Sequence, residues 1–101
     1  MDLRAHYRSP TLDLDGRVSN LSRSGLFLHA EYLDDTGSEV DVELQVAGHE
    51  PLKLRGEVVW VDIRPLSAGM GIRFGELDAR ARRALANLVI ERRYLDKPDP
   101  S

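Results

Sequence analysis

From Glu39 to Val46 the chain alternates strictly. Val40, Val42, Leu44 and Val46 fall on one side, and Glu39, Asp41, Glu43 and Gln45 on the other. A period of two predicts a strand with one face in a core and the other in water. Ala47-Gly48-His49-Glu50 reads as a turn into the next strand, where Leu52 and Leu54 continue the alternation. Between Gly56 and Val61 the phase changes, and Val59, Val61 and Ile63 match one another. A glycine ahead of a phase change predicts a bulge or a barrel corner. Arg64 to Gly69 is a loop, after which Met70, Ile72 and Phe74 share one face of a last strand.

Towards the start, Leu26 to Ala30 reads as a short buried strand, followed by the polar connection Asp34-Asp35-Thr36-Gly37. Leu12-Asp13-Leu14 is a brief alternation, and Asp15-Gly16 is a turn signal. Arg17 to Ser22 reads as a strand with Val18 inward. Residues 1–11 show no clear period and are expected to form an N-terminal arm ending near Pro10.

After the last strand the period lengthens. Asp78 suits a helix N-cap. Ala81, Leu85, Leu88, Val89 and Leu95 then follow helical spacing and would pack against the strands. Arg80, Arg82, Arg83, Arg92 and Arg93 would form the solvated side of that helix or a partner surface. Lys97 to Ser101 holds two prolines and reads as a loose tail. The expected organisation is an arm (1–11), a strand-rich body with its closing helix (12–95) and a tail (96–101).

Composition narrows the function classes. At 101 residues one domain is expected, with a modest core better suited to binding than to elaborate catalysis. There is no cysteine, which removes disulfides, thiolate nucleophiles and cysteine metal sites. No apolar run approaches a membrane span and no signal-peptide pattern opens the chain, so a cytoplasmic protein is expected. A net charge of −3 argues against a general DNA or RNA binder, and six aromatic residues offer little for a single-strand binder. The charge is unevenly spread: residues 31–50 hold Glu31, Asp34, Asp35, Glu39, Asp41, Glu43 and Glu50 with no Lys or Arg. That stretch reads as a solvated acidic hairpin or as a patch for a partner protein. His6, His29 and His49 are widely spaced without a metal-ligand pattern, and no nucleophile motif surrounds a serine. No catalytic residue, metal or cofactor is expected.

One constellation does carry chemistry. Arg4 and Arg8 stand four apart, and Asn20, Ser22 and Gly25 follow at i, i+2 and i+5. An arginine fork donates two parallel hydrogen bonds to a phosphate or to a planar acceptor edge such as guanine O6/N7. A carboxamide can pair with base atoms, a hydroxyl with a phosphate oxygen, and a glycine permits close backbone approach. Each residue also has a structural reading: a solvated arm for the arginines, and an ordinary polar turn for Asn20 and Ser22. Trp60 reads as core or rim, or as a platform for a base.

These residues resemble the RxxxR and [DN]xSxxG motifs of the PilZ domain family. Glu57-Val58-Val59-Trp60 and Gly69 to Phe74 resemble its later strands. The resemblance implies a mainly β fold, a six-stranded antiparallel barrel with a C-terminal α-helix. It implies cyclic di-GMP as ligand, held by Arg4, Arg8, Asn20, Ser22 and Gly25. It further implies a receptor that relays the signal to an unidentified downstream protein as its N-terminal arm becomes ordered. A departure is the twelve-position step from Arg8 to Asn20, shorter than the family usually has. The alternative is therefore a PilZ-like interaction module that does not bind nucleotide. Oligomeric state is left open by the sequence.

Overall fold

The computed structural model describes residues 3–46, 48 and 50–96, with side chains described through Glu91. Six strands form a closed antiparallel barrel: β1 (Leu3–Arg8), β2 (Asp13–Ser19), β3 (Gly25–His29), β4 (Glu39–Gln45), β5 (Leu52–Asp62) and β6 (Gly69–Phe74). Around the barrel they run β1-β2-β3-β6-β5-β4, and α1 (Ala79–Asp96) follows. The mainly β barrel with one terminal helix is the fold expected from the sequence. The expected tail beyond Asp96 lies outside the described residues.

The first segment corrects an expectation. Residues 3–8 are a strand and not an arm, and the strand is paired along both edges. Ala5 faces Gly16 of β2 on one side and Leu44 of β4 on the other. Leu3, Ala5 and Tyr7 are buried, while Arg4 and Arg8 are exposed. The alternation is thus present from the third residue. A small alanine and a phenol at the inward positions give it too little hydropathy contrast to stand out.

The turn after β1 also moves. Asp15-Gly16 lies inside β2, and the chain reverses at Ser9 to Leu12 instead. There the Ser9 amide donates to the Leu12 carbonyl at 2.8 Å, and Ser9 Oγ accepts from the Leu12 amide at 3.0 Å. Gly16 is a close-approach glycine, because a Cβ there would sit 2.4 Å from the His29 carbonyl oxygen of β3.

The phase change in β5 is present, with its irregularity between Val58 and Trp60. Leu54 and Val58 face the core, and Val61 packs against it. Val59 is the inserted residue and is exposed, as is Ile63, so of the three residues expected to match one another only Val61 packs against the core. Gly56 keeps the earlier phase. Its role is clearance, since a Cβ would stand 2.6 Å from the Arg73 carbonyl oxygen.

Tyr7, Leu28, Leu44, Val58, Met70 and Ile72 fill the barrel. Leu85, Leu88 and Val89 of α1 join this cluster. Asp78 Oδ1 accepts from the Ala81 amide at 2.7 Å, which is the expected N-cap bond. Among the described residues Asp34 is the buried charged group. It belongs to the β3–β4 connection and faces β1 and the β1–β2 turn, where the Tyr7 and Thr11 hydroxyls donate to its carboxylate.

Candidate functional site

The segment between β2 and β3 is built by its own side chains. Asn20 has φ of 52°, in the left-handed region that asparagine tolerates better than most residues. Ser22 Oγ accepts from the Ser24 and Gly25 amides, both at 3.2 Å, and the Ser22 amide donates to the Gly25 carbonyl at 2.9 Å. A Cβ on Gly25 would lie 2.3 Å from the Ile72 carbonyl oxygen, so only glycine fits against β6. Ser22 and Gly25 therefore shape the loop, and Asn20 is left exposed at its start.

Asn20, Ser24 and Gly25 line a depression of about 310 Å³ on the outer barrel wall, with Phe27, Val59, Trp60 and Arg73. Its floor is aromatic. Trp60 stacks on Phe27 with ring centroids 4.9 Å apart and planes inclined by 25°. His29 meets Phe27 edge-on at 4.9 Å and shares a 3.0 Å hydrogen bond with Ser19. Burial, with the nearby Arg17 charge, holds the His29 pKa below its ordinary value.

This strip exists because β6 carries glycine at its outward positions. A Cβ on Gly69 would meet the Phe27 ring at 2.5 Å, and one on Gly71 would meet Trp60 Nε1 at 2.1 Å. Half of Trp60 remains in solvent, so the ring can both pack and receive a planar ligand. Gly71→Ala should push the indole off its seat and cost about 1–3 kcal/mol by overpacking. Indole fluorescence should report the released ring, and an unchanged spectrum would mean that Gly71 does not seat it.

The two motif arginines are not brought together with this loop in the same way. Arg4 lies opposite Arg17 of β2, three residues short of Asn20. Arg8 lies opposite Asp13, at the far end of β2. Asp13 to Ser19 spans six steps, about 20 Å of strand. Across β2, β1, β4 and β5, the side chains Asp13, Arg8, Asp41 and Arg55 form a row of alternating sign. Arg8 Nε is 3.4 Å from Asp13, and Arg55 Nε is 3.1 Å from Asp41. His6, inside the sequence motif, lies within 2.8 Å of Asp13 and 2.7 Å of Asp15. The RxxxR spacing therefore coincides with the outward positions of β1, and Arg8 takes part in a cross-strand charge ladder.

Two arginines that the sequence did not single out lie nearer the loop. Arg73 lines the depression, and Arg17 lies beside His29 and Arg4. Like charges directly opposite on neighbouring strands repel, so the Arg4–Arg17 pair favours an anion between them. Only strand register reveals that pairing. Among the described residues, no group of His, Asp and Glu could hold a metal ion, and no helix is long and apolar enough to cross a membrane.

The PilZ domain profile matches residues 1–91. The chain belongs to the PilZ domain family. A search of curated proteins finds no match to it. Among solved structures, the fold is similar to Bacillus subtilis inhibitor of motility (MotI/DgrA), with a TM-score of 0.76 and 15% identity over 96% of this chain. The PilZ chain described here covers 49% of that protein. It is also similar to the PilZ domain of CeSA from a cellulose-synthesizing bacterium, with a TM-score of 0.66 and 14% identity, covering 90% of this chain and 92% of that one. At such identities the likeness is one of fold. The PilZ loop Asn20–Gly25, the aromatic strip and Arg73 share one stretch of outer wall, and Arg17 and Arg4 stand further round the barrel on β2 and β1.

Proposed function

We propose that this PilZ domain is a cyclic di-GMP receptor that passes the signal to a partner protein. The observation that carries the reading is the depression where the Asn20–Gly25 loop meets the stacked Phe27 and Trp60 rings beside Arg73. A guanine stacks on the exposed indole face, and the Asn20 carboxamide pairs with its polar edge. Arg4, Arg17 and Arg73 supply forks for phosphate or for the guanine O6/N7 edge. Ser22 and Gly25 serve by holding the loop open and close to β6. The ordering of a free arm does not suit a segment already paired on both edges. The surface that changes on binding is instead the loop and the indole.

The second reading is a PilZ-fold interaction module that binds no nucleotide. It is favoured by Arg8, which lies far along β1 from the loop and is engaged with Asp13. A thermal melt separates the two. Ligand at a hundred times its dissociation constant adds about 2.7 kcal/mol to the folded state. Each kcal/mol moves the melting point of a domain this size by about 4–8 °C. Saturating cyclic di-GMP should raise melting by roughly ten degrees or more. No shift at high nucleotide concentration would favour the module.

The arginines give a sharper expectation. Arg8→Ala should leave affinity for cyclic di-GMP within about twofold and stability within about 0.5 kcal/mol, since it removes one exposed ion pair. Arg17→Ala should weaken binding by roughly fivefold or more, as loss of a charge-assisted contact does. Calorimetric titration of both variants checks this, and the reverse order of effects would restore Arg8 to the site.

A further inference from the structure

A second concavity lies on the other side of the same loop. It measures about 710 Å³ and is lined by Arg23, Gly75, Leu77, Ala79, Arg82, Arg83 and Ala86. Ala79, Arg82, Arg83 and Ala86 stand at i, i+3, i+4 and i+7, which is a single face of α1. The adjoining face, Leu85, Leu88 and Val89, is buried in the barrel cluster. The two arginines are therefore not spread around a solvated helix. They point with small flanking alanines towards Arg23, which the β2–β3 loop presents from across the gap.

The charge there is one-sided. Three arginines line the cleft, no acidic residue does, and the whole chain is formally −3. Among the described residues, none of the three has a carboxylate within ion-pair distance, although Arg8, Arg55, Arg64 and Arg73 each have one. Arg82 Nη2 donates to the Leu77 carbonyl at 3.0 Å, which fixes the guanidinium at the cleft wall with other N–H groups to spare. Asp78 caps the helix through the Ala81 amide. The walls between the arginines are Leu77, Ala79 and Ala86, all apolar. A volume of this order is that of a small-molecule site with a few convergent polar groups.

We infer that the cleft between the β2–β3 loop and α1 is a binding site for a phosphorylated ligand of nucleotide size. Arg23, Arg82 and Arg83 take the phosphoryl oxygens, and Leu77, Ala79 and Ala86 line the space for the remainder of the ligand. The fork geometry of guanidinium matches phosphoryl oxygens bidentately. The site is separate from the aromatic wall and does not depend on the cyclic di-GMP reading. Because one wall is loop and the other helix, an occupant ties α1 to the Asn20–Gly25 segment.

The test is a two-dimensional NMR titration at constant ionic strength, with pyrophosphate, GTP and cyclic di-GMP as separate probes. The wild-type protein should show saturable shifts at Arg23, Gly75 and residues 79–86 with pyrophosphate and GTP. Arg83→Ala and Arg23→Ala should each weaken that binding roughly tenfold, as loss of a charge-assisted contact does. Arg80→Ala removes the same charge from the same helix outside the cleft lining and should leave the affinity within about twofold. Absent shifts at these residues would overturn the inference. So would equal losses for Arg80→Ala and Arg83→Ala, which would reduce the effect to general charge attraction. The Trp60 indole signal, followed in the cyclic di-GMP titration, reports the other face independently, so failure of either site is read without the other.

Discussion

Leu44→Ala is expected to destabilise the domain by about 2–5 kcal/mol, as truncation of a buried leucine does. Leu44 is completely enclosed, near the end of β4, between Ala5 of β1 and Leu52 of β5. Its side chain meets the inward residues of a closed barrel, which cannot collapse on a cavity without shifting paired strands. At about 4–8 °C per kcal/mol, the melting point should fall by roughly 10 °C or more. A thermal melt followed by circular dichroism gives the number. Protein that remains folded should still bind the nucleotide, because Leu44 faces away from the outer wall. A loss below about 1 kcal/mol would mean that the barrel interior is not packed as described.

Asp34→Ala is the second large effect, at about 2–4 kcal/mol. The Tyr7 and Thr11 hydroxyls both donate to this carboxylate, and hydrogen bonds to a charged group contribute about 1.5–3 kcal/mol each without strict additivity. Tyr7 is fully buried and would lose its acceptor. The same pair makes stability depend on pH at both ends. Burial pushes the Asp34 pKa up, but hydrogen bonds from the Ser9, Thr11 and Tyr7 hydroxyls outweigh it and hold the group below its ordinary value. Its contribution is therefore complete above the ordinary carboxylate value of about 3.9 and fades as the pH falls below it. Burial, then the bond to Asp34 and its charge, raise the Tyr7 pKa above its ordinary value. That contribution is complete below about pH 10 and is lost as the pH rises further. Melts across pH should show both flanks, and Asp34→Ala should flatten the acid one. An unchanged acid flank would mean that another carboxylate sets it.

The legible parts of this fold were those with contrast. The valine–acid alternation of β4 and the shared face of Met70, Ile72 and Phe74 reached the structure intact, as did the N-cap at Asp78. The first strand was hidden because its inward residues are Leu3, Ala5 and Tyr7, and its outward arginines matched a motif of a different kind. Asp15-Gly16 imitated a turn because glycine answers two needs, a reversal or a close approach, and the second depends on a neighbour 13 residues away, at His29. The Asn20–Gly25 loop was legible as a motif, though its serine and glycine turn out to support the loop. Arg17, Arg73 and the Phe27–Trp60 stack were not legible. They become neighbours only through the pairings of β1 with β2, β2 with β3, β3 with β6, and β6 with β5. The arginines of α1 were visible, but their shared face with Arg23 required the loop and helix to be placed.

The proposed binding of cyclic di-GMP on the outer wall beside Asn20 and Trp60 is read by isothermal titration calorimetry of the wild-type domain and of Asn20→Ala. The wild type should give saturable heat with a stoichiometry that fixes one nucleotide or a stacked pair, and the variant should bind roughly tenfold more weakly. Absence of heat from the wild type at high nucleotide concentration, or equal affinity in the two proteins, would contradict the proposal.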